Sequence, residues 1–162
     1  MRRFVPFIFA FVLVGLIGCG SKPLPPVKKK ETVIVKRGEK VSFGWFWCQI
    51  DSVFATDTLG GKFTHIEAKG TFLVIDLTIG NQGMGPETAE TNLFELIAVD
   101  GADTLAYKPD FLEAAAYVGD RAFGEAEVLK VGKPRRGYII FDVQKTITNA
   151  WLRLGTAYFF LR

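Results

Sequence analysis

The sequence predicts an all-β fold, an antiparallel β-sandwich of about seven strands. Three observations predict it. Apolar residues alternate with a period of two, most clearly at Leu73, Ile75, Leu77 and Ile79 within TFLVIDLTIGN. Turn formers close such stretches, as in NQGMG at 81–85 and DGAD at 100–103. The chain of 162 residues is 49% apolar and 14% aromatic, enough to bury a core and unlike a disordered segment.

Residues 1–18 stand apart from that pattern. Arg2 and Arg3 precede an uncharged apolar run, Phe4 to Gly18. At about 15 residues the run is shorter than the roughly 20 that span a bilayer as a helix. The layout is that of a secretory signal, which is excluded from fold reasoning. Its end, Leu16-Ile17-Gly18-Cys19, resembles the bacterial lipobox: a large aliphatic residue three before, a small residue directly before, then the cysteine. That resemblance implies cleavage before Cys19 and lipid on its thiol. The alternative is an ordinary signal or anchor with an incidental cysteine. Two or more acyl chains make a stable anchor, at about 0.8 kcal/mol per buried methylene. The expected location is therefore a membrane face outside the cytoplasm. Gly20 in place of Asp resembles outer-membrane sorting in a cell with two membranes.

Residues 19–31 contain the lipidated cysteine and a tether, GSKPLPPVKKKE, rich in proline and lysine and without apolar period. Lys28-Lys29-Lys30 reads as a solvated run, with attraction to anionic headgroups as the alternative, at about 1 kcal/mol per Lys. Losing Arg2 and Arg3 takes the 20 Lys and Arg down by two, to 18, against 17 Asp and Glu. The mature body is nearly neutral, and no nucleic-acid partner is expected.

The sandwich is expected over 32–162. After TFLVIDLTIGN, the stretch LFELIAV leads through Asp100-Gly101 to DTLAY, a β-hairpin. PDFLEAAAYVGD is the one helical pattern, with Phe111, Leu112, Ala115 and Ala116 at helical spacing between Pro109 and Gly119. RGYIIFDVQ sets Ile139, Phe141 and Val143 on one strand face and Tyr138, Ile140 and Asp142 on the other. AWLRLGTAYFFLR sets Leu152 and Leu154 against Trp151 and Arg153, with a bulge expected at Gly155.

Several of these segments together resemble the telokin-like, immunoglobulin-fold domain of secreted bacterial proteins and lipoproteins. Gly70, Leu73 to Ile79, Asn81 and Gly83 match its glycine, alternating strand and closing Asn and Gly. Asp100, Gly101 and Tyr107 match its next turn and aromatic, and Gly132, Gly137 and Phe141 its late turn and the Gly-started strand that ends in Phe. Val131 stands where that family usually has proline. The resemblance covers most of 41–154. It implies an immunoglobulin-like sandwich without an assigned active site.

Chemistry is sparse. His65 is the single histidine, expected in a solvated loop. No nucleophile elbow or phosphate loop appears, so no catalytic residue, cofactor or metal is expected. Asp100 and Asp103 read as turn formers, with a weak calcium site as the alternative; Glu87, Glu90 and Glu95 approach or enter a strand.

GWFWC at 44–48 is the densest aromatic stretch. Val41, Phe43, Trp45 and Trp47 are expected on one face of a strand, and Phe46, Cys48 and Ile50 on the other, both faces being core. An exposed pair, Trp45 and Trp47, gripping a sugar or lipid is the alternative. With Cys19 lipidated, Cys48 has no partner and reads as a small buried hydrophobe. The expected function is non-enzymatic: a membrane-anchored module that binds an envelope protein or a glycan, or has a structural role. The competing reading is an enzyme or thiol-redox protein using Cys48. Oligomeric state is not fixed by the sequence.

Overall fold

The computed structural model describes residues 33–60, 65–110 and 118–161. The expectations for Leu16, Ile17, Gly18, Cys19 and the tether fall outside them, as do residues 111–117 of the expected helix. Eleven strands run through the described residues. They are β1 (Val33–Val35), β2 (Lys40–Phe43), β3 (Phe46–Gly60), β4 (His65–Asn81) and β5 (Glu87–Glu90). After them come β6 (Phe94–Asp100), β7 (Asp103–Tyr107), β8 (Ala126–Leu129), β9 (Arg135–Val143), β10 (Asn149–Leu154) and β11 (Ala157–Phe160).

A five-stranded sheet, β1-β11-β10-β6-β7, packs over a four-stranded one, β2-β3-β4-β9, and β5 and β8 form a separate ribbon. All strand pairs are antiparallel except β1 with β11. The chain is thus the expected sandwich, with more strands than the seven or so read from the sequence. The extra ones, β1, β2, β5 and β8, have three or four residues each, too few to show a period.

The core explains the alternation. Leu73, Ile75, Leu77 and Ile79 of β4 meet Phe94 and Leu96 of β6 and Leu152 and Leu154 of β10, all buried. Ile139, Phe141 and Val143 of β9 join the same core, while Ile140 and Tyr138 lie on the opposite face, as expected. One expectation changes: β4 is buried on both faces, not one, from Thr71 to Leu77. Its outward residues Phe72 and Val74 pack with Leu59 and Ile140 in a second apolar cluster. Farther along that face Asp76, 6% exposed, accepts both arms of Arg136 at 3.0 and 2.7 Å. A carboxylate in mid-sheet is tolerated there because the planar guanidinium satisfies both its oxygens.

Two turns stand where a continuous strand and a bulge were expected. Phe43 pairs with Phe46, so Gly44-Trp45 is a two-residue turn between two strands. Gly44 has φ of +57°, and glycine at the first turn position is the signature of a type II′ hairpin. Val41, Phe43 and Trp47 therefore do not share one strand face. Val41 and Phe43 lie against the core beside Cys48 and Phe46, and Trp47 points the other way. Gly155 likewise opens the β10–β11 turn, with Leu154 paired to Ala157, and is not a bulge. The hairpin at Gly101 is the expected one, with Asp100 opposite Asp103. Past the undescribed 111–117, Gly119–Arg121 form a 3₁₀ turn.

Candidate functional site

Cys48 sits at 0% exposure between the sheets, and desolvation pushes its thiol up out of the physiological range. A nucleophilic cysteine requires the opposite, a stabilised thiolate open to its substrate. The expected result is that a thiol reagent leaves Cys48 untouched in the folded protein at pH 8 and modifies it once denaturant is added. Rapid labelling of the native protein would contradict the burial.

The other chemistry-bearing residues lie apart. His65 is exposed at the start of β4, a strand position where a loop was expected. Asp100 and Asp103 flank their turn, and among the described residues no three His, Cys, Asp or Glu converge on a metal-sized site. Glu95 pairs with Arg153 across β6 and β10; Glu87 and Glu90 lie on β5.

Among the concavities of the described residues, two bear on a binding role. One, of about 580 Å³, is walled by Tyr107, Lys108, Asp142 and Lys145. Two of its charged groups are occupied by the fold: Asp142 accepts the backbone N–H of Lys69 and Gly70 at 2.9 and 3.1 Å, and Lys145 meets Asp57 at 3.0 Å.

The second, about 510 Å³, is apolar and lies at one end of the sandwich, between Phe43, Trp45, Phe46 and Leu93 and the Gly155-Thr156 turn. Trp45, at the hairpin tip, is 58% exposed, where the core was expected. Trp47 does not reach this groove. It is half-buried, with the Lys40 ammonium 3.5 Å from its ring, and its indole occupies the space where a side chain at residue 80 would stand. Gly80 is therefore the seat of Trp47.

Next to the tip lies the 82–86 loop. Gln82 donates its backbone N–H to the Trp45 carbonyl at 2.8 Å and its amide to the Gly44 carbonyl at 3.2 Å. Asn81, 3% exposed, fixes the loop from inside. Its amide donates to the carbonyls of Gly85 and Leu129 at 2.7 and 2.8 Å, and its oxygen accepts the Gly83 N–H at 2.7 Å. Held that way, the loop presents Met84 at 99% exposure, and the Asn81–Val131 bridge brings Val131, 48% exposed, to the same end. Met84 and Val131 were missed as surface candidates. The only signal was an apolar residue inside the turn sequence NQGMG.

Comparison with known proteins places this arrangement. A family described as "Domain of unknown function (DUF4352)" matches residues 35–160. A conserved hypothetical protein from Bacillus anthracis is similar in structure with a TM-score of 0.59 at 17% identity, over 77% of this chain and 93% of that one. The secreted protein MPT63 from Mycobacterium tuberculosis gives 0.55 at 15%, over 83% and 99%. A β-sandwich protein from Clostridium difficile gives 0.55 at 11%, over 86% and 100%. These likenesses show a shared sandwich fold. No curated protein matches the chain.

Proposed function

The chain belongs to the family described as Domain of unknown function (DUF4352), and from that premise we propose that it is a lipoprotein of the cell envelope whose immunoglobulin-like, telokin-like sandwich acts by contact and not by catalysis. The observation that carries the proposal is Leu16-Ile17-Gly18-Cys19 at the end of an apolar run too short to span. Lipid on Cys19 holds the domain outside the cytoplasm, and the 19–31 tether sets its distance from the membrane. The similar secreted protein from Mycobacterium tuberculosis supports an extracytoplasmic setting.

Contact is favoured over catalysis by what the fold encloses and what it exposes. The Cys48 thiol is enclosed, and the Asp76 carboxylate is spent on Arg136. Trp45, by contrast, stands open beside an apolar groove. In cells fed a labelled fatty acid, the protein takes up the label and partitions with membranes, and Cys19→Ala does neither. Persistence of both label and partition in Cys19→Ala would refute the anchor.

A further inference from the structure

The open apolar end and the entry of the chain into the fold coincide. β1 runs parallel to β11 with Val33 opposite Ala157, directly after the Gly155-Thr156 turn that borders the groove. The segment leading back to Cys19 therefore enters the domain at the end that displays Trp45 and Met84. From Cys19 to Val33 the chain reaches at most about 50 Å fully extended. The anchored end of the molecule is thus an end at which Trp45, Met84 and Val131 stand exposed.

We propose that this end is the membrane-facing surface of the sandwich, with Trp45 and Met84 seated at the lipid–water boundary of the bilayer that holds Cys19. The inference rests on the lipid-anchor reading. An indole suits that position because its ring prefers the interface between headgroups and acyl chains, apolar body on one side and N–H on the other. Methionine adds an unbranched apolar side chain that adapts to a fluid partner. The charge is of the right sign: Lys130 and Lys133 are exposed on either side of Val131 and Gly132, and Lys28-Lys29-Lys30 lies on the tether leading to the same end. Anionic headgroups complement such a set. The lipid on Cys19 keeps the tip and the bilayer at high effective concentration, so even a weak insertion is populated.

The test uses the full lipidated protein reconstituted into vesicles of phosphatidylethanolamine and phosphatidylglycerol, with and without brominated acyl chains. Trp47 and Trp151, both half-buried in the sandwich, serve as internal references. The expected result is co-flotation with vesicles and bromine quenching of part of the tryptophan emission. Trp45→Ala then floats equally well, keeps Cys48 protected, and loses the quenching. Flotation without quenching overturns the membrane-facing tip and leaves the anchor standing. Failure of the parent protein to float overturns both. Quenching that survives in Trp45→Ala shows that another face meets the lipid. An emission shift that grows with protein density but ignores bromine places a second copy of the chain in the groove. Either of these last results also overturns the inference.

Discussion

Asn81→Ala lowers the stability of the domain by about 3 kcal/mol, as two or three buried backbone groups lose their partners at once. In a domain of this size that is a fall of about 10 °C in melting temperature. The side chain supplies three hydrogen bonds, to Gly83, Gly85 and Leu129. Together they tie the 82–86 loop to the strand β8. Asn81→Asp is expected to be no milder, although it is nearly the same shape. Aspartate keeps the acceptor for the Gly83 N–H but presents a second oxygen to two carbonyls that need a donor. Thermal melts of both variants check this, and an Asn81→Asp protein as stable as the parent would contradict the assignment.

Gly70→Ala is the second large effect. A β-carbon there would stand 2.1 Å from the Val143 carbonyl oxygen and 2.9 Å from its carbon. Both are backbone atoms of β9, in register with Thr71 of β4, so no side chain can rotate away. Separation of the β4–β9 pair at that end also strains the hydrogen bonds from Lys69 and Gly70 to Asp142. The expected loss is about 3 kcal/mol, at the upper end of overpacking costs. Gly85→Ala is the matched control. Nothing lies within 4 Å of a β-carbon at that position and its φ is not positive, so the change is expected to stay within about 0.5 kcal/mol. Chemical denaturation of the pair separates a requirement for space from a general intolerance of substitution.

These two residues show what the sequence made legible. Asn81 and Gly70 stood out by their places at the ends of an alternating strand, which located a turn and a strand start. That Asn81 bonds the Leu129 carbonyl of β8 and that Gly70 touches Val143 of β9 depends on strands far along the chain, and no local pattern encodes it. The alternation in Leu73 to Ile79 and Ile139 to Val143 was readable because a buried face imposes period two. GWFWC misled for a physical reason. Phe43 and Phe46 are as good at the ends of two paired strands as within one, and Gly44 was the only punctuation.

The site was harder still. Trp45, Leu93, Val131 and Gly155 belong to four separate connections that meet at one end only after the sheets have packed. Sequence spacing carries nothing about such a meeting. The reading of Trp45 and Trp47 as a pair came from adjacency, whereas the hairpin turn sends one to the tip and the other onto Gly80. Cys48 was legible because its neighbours at 46 and 50 are apolar and share its strand face.

The central claim is that the domain is held to a membrane through Cys19. The most direct measurement is the mass of the mature amino-terminal peptide from protein purified out of native membranes. The account predicts a peptide that begins at Cys19, continues Gly20-Ser21, and carries the mass of its acyl chains on the cysteine. A mature chain that begins elsewhere, or a Cys19 with an unmodified thiol, would contradict it.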